Sequence, residues 1–180
     1  MNDAESEELA ALRVRVRRLE AIEACRSRFN EYLYYLDGGH LEDLIALFAD
    51  DARLELMNFP PGTGNDLHYT GHDPIRKLYA AFVGEGARHH SANVSVAPSE
   101  NPGRAELIAY FQTTVEYGLT GGIYELQLKR QSATWQIHRM RISSTWGWAI
   151  PHSDPPYLSA PFAAGTLRDG RPPLYPIQTE

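Results

Sequence analysis

The sequence contains a single cysteine, Cys25, so no disulfide can form within the chain, and this usage favours a reducing cytoplasm. It also lacks an apolar run long enough for a membrane span, and its N-terminus is acidic rather than signal-like. Its 17 basic and 23 acidic residues leave a net charge of -6. That charge argues against nucleic acid or an anionic membrane as the main partner.

Motifs for phosphate and metal binding are missing as well. The run from Gly118 to Gly122 contains three glycines, but we interpret it as a β-hairpin turn rather than a nucleotide cradle. His68 and His72 flank a Tyr-Thr-Gly turn, yet no carboxylate or cysteine pattern accompanies them. We therefore predict a protein without a metal site or cofactor.

What the chain does have is enough apolar sequence for one domain, at 43% hydrophobic residues in 180. We predict a domain over residues 1–150, with a helical extension over 1–20 and a Pro/Gly-rich arm over 151–180. Within the extension, apolar residues recur at three- and four-residue spacing, at Leu9, Leu12, Val16 and Leu19. This narrow stripe either packs on the domain or pairs with a second chain.

The order of elements predicts an α+β fold. Periodicity indicates helix over residues 4–38 in two pieces, a short helix over 40–48 and a strand over 52–57. A further helix follows, with Asp73 as N-cap and Pro74 at its first position. Three long strands then cover 104–118, 123–130 and 134–148, with a hairpin at Gly121-Gly122. Helices followed by antiparallel strands are typical of α+β domains.

Several motifs follow one another in a fixed order between residues 8 and 150. They are Ile22–Cys25, Tyr32–Asp37, His40–Leu44, Leu47–Ala52, Tyr69-Thr70-Gly71, His89 with Asn93, and Trp135–Ile137. Together they resemble the SnoaL-like branch of the nuclear transport factor 2-like superfamily. The resemblance implies an α+β cone, in which N-terminal helices pack on a strongly curved, mostly antiparallel sheet around a pocket. Members include scytalone dehydratase, a bile-acid dehydratase and polyketide cyclases.

The resemblance also implies a function. It suggests a cofactor-independent lyase or isomerase (dehydratase, isomerase or cyclase) in secondary metabolite biosynthesis, and a homo-oligomer, dimer or trimer. The substrate would be a small hydrophobic polyketide-, terpenoid- or steroid-like molecule. An alternative in the same fold is a non-catalytic ligand-binding or assembly subunit, like the small subunit of ring-hydroxylating dioxygenases.

Asp37 and a histidine pair form the main candidate site. Asp37 ends a helix, where a carboxylate opposes the helix dipole by about half a kcal/mol, so we expect it to have a partner. Adjacent His89 and His90 open a strand and therefore point to opposite faces. Strict alternation places His90 with the apolar face, whereas the resemblance selects His89 and requires a polar inner face or a β-bulge. We take Asp37 and His89 as the dyad, with His90 as the alternate.

Other candidates come from the resemblance and from aromatic content. The resemblance implies that Tyr32 polarises a substrate oxygen, although its spacing alone indicates a core tyrosine. The resemblance also implies a basic residue late in the last strand. The corresponding position in this sequence is Ser144, which is not basic, and Arg141 or Arg139 could take that role. Five residues are candidates for substrate binding: Asn93, Tyr110, Phe111, Tyr124 and Trp146.

Overall fold

An unbroken helix of 36 residues, α1 (Asp3–Gly38), opens the computed structural model, which describes residues 3–84, 86–115 and 118–149. The elements that follow are α2 (Leu41–Ala46), β1 (Phe48–Met57), β2 (Leu67–Thr70), α3 (His72–Tyr79), β3 (Arg88–Pro98), β4 (Arg104–Val115), β5 (Gly118–Gln131) and β6 (Thr134–Ala149). The predicted arm over 151–180 lies outside the described residues.

The six strands form one mixed sheet in the order β2-β1-β6-β5-β4-β3. Strands β1 and β6 pair in parallel, and the other neighbouring strands pair antiparallel. The sheet is not closed, and β2 and β3 are its edges. Helices that precede the long strands and pack on this sheet confirm the predicted α+β cone.

The C-terminal half of α1 lies against one face of the sheet, here called the inner face. The ring of Phe29 on α1 lies 5.3 Å from that of Tyr124 on β5. Along the strands, alternate residues are buried on this face, as the two-residue period of a strand requires. The helix contributes Cys25, Phe29, Tyr32, Leu33 and Leu36 to the core. Burial raises the pKa of the Cys25 thiol to about 12, so this cysteine serves packing rather than nucleophilic chemistry.

The first helix differs from the predicted two pieces because no glycine or proline interrupts the sequence before Gly38. Its residues 3–20 are exposed, and burial begins only at Ala21. Neither α1 nor any other described helix combines the length and apolarity needed to cross a bilayer.

Two boundaries after α1 were also predicted wrongly. Strand β1 begins at Phe48 rather than at residue 52, so the short helix before it ends earlier. The N-cap of α3 is Gly71, and no side chain caps this helix end. The Asp73 carboxylate instead accepts a hydrogen bond from Arg76, which lies one helical turn further along.

The predicted hairpin at Gly121-Gly122 is wrong, because both glycines lie within β5. A Cβ on Gly122 would lie 1.9 Å from the carbonyl oxygen of Ser143, and one on Gly121 would lie 2.4 Å from the Trp146 ring. The glycines therefore allow β6 to approach closely and do not mark a turn. The pairing shifts by one residue here, from Gly122–Ser144 to Gly121–Trp146, which indicates a β-bulge in β6.

Candidate active site

Asp37 and His89 meet where the end of α1 reaches the start of β3. The Nδ1 atom of His89 lies 2.5 Å from Oδ1 of Asp37. The backbone N–H of His89 donates to Oδ2 of the same carboxylate at 2.9 Å. The side chain of His89 is 14% exposed and that of Asp37 is 18% exposed, so the pair is largely shielded from solvent. The structure thus brings together the two residues of the predicted dyad.

These two hydrogen bonds explain how a carboxylate is stable at the C-terminus of α1. The helix dipole disfavours negative charge there by about 0.3–1 kcal/mol. A hydrogen bond to a charged group contributes about 1.5–3 kcal/mol, so the bonds from His89 more than offset that cost. The helix end is also held by the loop before β3, since the N–H of Gly84 donates to the carbonyl of Leu36 at 3.1 Å.

A β-bulge in β3 decides which histidine lies on the inner side. Between the pairs Ala92–Tyr110 and Ser95–Ile108, β3 has one residue more than β4. Asn93 lies in this bulge with φ of 53°, a left-handed conformation that asparagine tolerates better than most residues. The bulge reverses the alternation, so Val94 and Val96 share the inner face with His89 rather than with His90. His90 is exposed.

The geometry of the pair defines what His89 can do chemically. When the carboxylate of Asp37 is ionised, it accepts only, so the neutral imidazole donates from Nδ1. The lone pair of the neutral ring is then on Nε2, the nitrogen that does not contact Asp37. A carboxylate that fixes one tautomer and stabilises the imidazolium is the arrangement used for general-base catalysis.

The inner face beside His89 carries a buried polar residue, Thr113, that was not among the candidates predicted from the sequence. Thr113 on β4 pairs directly with His89 and is 4% exposed. Ser144, at 7%, is the other buried polar residue among those described. The sequence of β4 indicates this residue. Every second residue from Leu107 to Phe111 is apolar and lies on the inner face, and the next residue in this series is Thr113. A polar residue that continues an apolar alternation indicates a polar end of the inner face.

Tyr32 lies deeper, in a cluster of buried tyrosines. Its hydroxyl is 2.9 Å from the Tyr79 hydroxyl, and the side chain is fully buried. Burial raises the pKa values of Tyr32, Tyr79 and Tyr124 well above the ordinary value, so all three phenols are neutral. The nearby charge of Asp37 also contributes to the raised pKa of Tyr124.

The five candidate substrate residues divide between the two sides of the sheet. Phe111 and Tyr124 lie on the inner face, with ring centroids 4.6 Å apart. Tyr110, which is 52% exposed, lies on the opposite, outer face. Trp146 also lies there, because it pairs with Gly121 and overlies it. Asn93 is exposed in the bulge. The structure thus places only Phe111 and Tyr124 on the side of the dyad.

Comparison with known proteins identifies the family. A family model of the SnoaL-like domain matches residues 17–141, more than half of the chain. The chain belongs to this family. No curated protein matches the sequence. The family membership confirms the resemblance inferred from the sequence motifs.

Solved structures similar to this SnoaL-like chain share its fold at low sequence identity. A protein assigned as a scytalone dehydratase from Novosphingobium aromaticivorans is 23% identical, with a TM-score of 0.62 over 76% of this chain and 92% of that one. A hexachlorocyclohexane dehydrochlorinase, LinA-type3 from Novosphingobium barchaimii, is 16% identical, with a TM-score of 0.64 over 78% and 99%. An NTF2-like protein with a cystatin-like fold, from N. aromaticivorans, is 19% identical, with a TM-score of 0.61 over 76% and 90%.

The basic residues considered for the SnoaL-like site lie on the outer face. Arg139 donates two hydrogen bonds to Glu55, of 3.0 and 2.9 Å, and Arg141 donates one of 2.8 Å. These bonds hold the pKa of the Glu55 carboxyl below its usual value, Arg139 having the largest effect. The two arginines therefore form an ion-pair cluster on β1 and β6 and are not brought to Asp37 and His89.

Two cavities of the domain also lie on the outer face. One, of about 300 Å³, is lined by Ser95, Ile108, Glu125 and Arg141 among others. The second, of about 500 Å³, is lined by Asp51, Thr70 and His138 among others. Both cavities are open, and neither is lined by Asp37 or His89. The candidate active site is therefore defined by the contact between these two residues and not by a cavity. Among the described residues, no three His, Cys, Asp or Glu side chains are arranged to hold a metal.

Proposed function

We propose that this protein is a cofactor-independent lyase or isomerase, a dehydratase, isomerase or cyclase, with His89 as general base and Asp37 as its orienting carboxylate. The observation that carries the proposal is the hydrogen bond between Asp37 Oδ1 and His89 Nδ1. The SnoaL-like family and the fold shared with proteins named dehydratase and dehydrochlorinase support a lyase-type reaction. Phe111 and Tyr124 on the same face favour a small hydrophobic substrate.

The proposed elimination uses one proton and one leaving group. Nε2 of His89 removes a proton from a carbon next to the carbon that bears the leaving group. The C–H electron pair forms the double bond, and the leaving group departs with its own electron pair. Asp37 stabilises the imidazolium that forms, and the imidazolium can return the proton to a leaving hydroxide to give water. An isomerisation uses the same first step and returns the proton to another carbon.

We propose a secondary role for Tyr32, whose phenol would act near a developing oxygen anion. Its raised pKa keeps it a hydrogen-bond donor at neutral pH, as the role requires. Its hydroxyl, however, bonds to Tyr79 within the core. A comparison of Tyr32→Phe with Tyr79→Phe tests the role, because only the first should lower turnover if Tyr32 polarises the substrate.

Proton abstraction can be measured without knowing the natural substrate. Small hydrophobic ketones, hydroxyketones and halogenated rings are incubated with the protein in deuterated water, and deuterium incorporation and elimination are followed by NMR. We expect activity on at least one class, its loss in His89→Gln, and its retention in His90→Gln, a matched change on the exposed side of β3. Activity that persists in His89→Gln, or that is absent across the panel, would contradict the proposal.

The non-catalytic alternative is favoured by the exposed outer face. Ile108, Tyr110 and Trp146 are 45%, 52% and 46% exposed there, as a surface for a partner subunit would be. This alternative predicts ligand binding that is unchanged in His89→Gln.

The same surface supports our proposal of a homo-oligomer, dimer or trimer. We also propose a cytoplasmic protein of secondary metabolism acting on polyketide-, terpenoid- or steroid-like molecules, in line with its single buried cysteine and aromatic inner face.

A further inference from the structure

The N-terminal half of α1 projects from the domain. Every residue from 3 to 20 is exposed, and we call this segment the overhang. At 1.5 Å per residue it is about 27 Å long. A helix of this length is marginal in water, because helices in proteins gain most of their stability from packing of an apolar face. The overhang therefore indicates a surface that is covered in the assembled protein.

The overhang carries the apolar stripe of a coiled coil. Leu9 and Val16 occupy position a of a heptad, and Leu12 and Leu19 occupy position d. They are 36%, 43%, 52% and 65% exposed, respectively, in the single chain. The stripe does not contact the domain, which removes one of the two interpretations that its spacing allowed. Pairing with another helix is the interpretation that the structure leaves.

The charges beside the stripe identify the partner and its direction. Glu8 and Arg15 lie at position g, and Arg13 and Glu20 lie at position e. In a parallel pair, position g faces position e five residues later on the other helix. Glu8 then faces Arg13 of the second copy, and Arg15 faces Glu20. An antiparallel pair centred on the same stripe would place Arg13 against Arg13 and Arg15 against Arg15.

We propose that two copies of this chain associate in parallel through the overhang, as a short two-stranded coiled coil. Leu9, Leu12, Val16 and Leu19 form its seam. The four complementary g–e contacts of a symmetric pair select a second copy of the same chain and exclude the antiparallel register. The two domains then lie side by side beyond residue 21.

Cysteine cross-linking of the full chain tests the register. In a parallel pair, position a faces itself, so Leu9→Cys should form a covalent dimer under mild oxidation. Val14→Cys is the matched control, because Val14 is 59% exposed on the same segment but lies at position f, away from the seam. The native Cys25 is fully buried and does not compete. Equal cross-linking of both variants, or none in Leu9→Cys, would overturn the proposal.

Charge exchange then tests the partner. Two versions of Leu9→Cys are made, one with Arg13→Glu and Arg15→Glu, the other with Glu8→Arg and Glu20→Arg. Alone, each places like charges at every g–e contact and should lose the cross-link. Mixed, they restore all four contacts and should regain it as a mixed dimer. Cross-linking that survives in either version alone, or that fails to return on mixing, would show that the g–e charges do not select a second parallel copy and would overturn the proposal.

Discussion

The carboxylate of Asp37 accepts two hydrogen bonds from one residue, at 2.5 Å from the ring Nδ1 of His89 and at 2.9 Å from its backbone N–H. The first bond orients the ring, and the second fixes the start of β3 against the end of α1. Because both come from His89, the orientation of the imidazole is coupled to the attachment of the strand. The catalytic and the structural effects of Asp37 are distinguished by two different substitutions, one that keeps the shape of the side chain and one that removes it.

Asp37→Asn should preserve the shape of the contact but remove the charge that stabilises the imidazolium. We expect turnover of a substrate from the proton-exchange panel to fall by about 10²–10⁴-fold, the usual contribution of general acid–base catalysis. The ¹⁵N chemical shifts of His89 should also show a changed tautomer population. Turnover and tautomer unchanged in Asp37→Asn would remove Asp37 from the mechanism.

Asp37→Ala removes the acceptor of both hydrogen bonds and should lower the free energy of unfolding by more than about 1.5–3 kcal/mol, the contribution of a single hydrogen bond to a charged group. Urea denaturation followed by circular dichroism measures this difference. Asp43→Ala is the control, because its carboxylate is largely exposed and lies 3.6 Å from His40. A stability equal to that of the control would show that the contact does not stabilise the end of α1.

The bulge at Asn93 should tolerate glycine and resist a β-branched residue. Asn93 has φ of 53°, where a residue with a bulky Cβ is strained by about 1–2 kcal/mol. We expect Asn93→Val to lower the free energy of unfolding by that amount and Asn93→Gly to change it by less than about 0.5 kcal/mol. Ser95→Val, on the regular part of β3, should be close to neutral in the same denaturation experiment. An equal effect of valine at positions 93 and 95 would argue against the left-handed bulge.

The bulge also shows where prediction from the sequence stops. The fold could be predicted, because the spacing of apolar residues indicates helices and strands over long parts of the chain. The order of these elements and the family motifs then indicate the fold. The inner face of β3 could not be predicted from alternation, because one extra residue reverses it and asparagine is common in many turns. Alternation alone selected His90 for this reason. The family register selected His89, the histidine that contacts Asp37.

The Gly121-Gly122 turn was predicted wrongly for a related reason, and two of the aromatic candidates lie on the side of the sheet away from the dyad. Gly121-Gly122 has the composition of a turn, but the close approach of Ser143 and Trp146, which requires glycine there, depends on the partner strand. Tyr110 and Trp146 were candidates for the substrate site because they are aromatic. The type of a residue does not indicate on which face of the sheet it lies. The paired register of β4, β5 and β6 assigns both to the outer face.

The buried tyrosines predict a loss of stability at alkaline pH. Burial raises the pKa values of Tyr32, Tyr79 and Tyr124 in the folded chain, so above about pH 10 the unfolded chain releases protons that the folded chain retains. Stability should fall as pH rises through this range, by up to about 1.4 kcal/mol per pH unit for each tyrosine. Tyr124→Phe should make this slope shallower, as measured by urea denaturation between pH 9 and 11. Tyr34→Phe, an exposed control, should leave the slope unchanged.

The Glu55 cluster predicts the opposite dependence at acidic pH. Hydrogen bonds from Arg139 and then Arg141 lower the pKa of Glu55 from 4.5, so its ionised form is favoured by folding. Its contribution is fully present above about pH 4.5 and is lost as pH falls through the lower pKa of the folded chain. Glu55→Gln should therefore lower the free energy of unfolding at neutral pH. It should also make the loss of stability below about pH 4.5 less steep. Glu106→Gln, an exposed carboxylate on the same face, is the control, and an equal effect of the two substitutions would show that the arginine cluster does not stabilise the sheet.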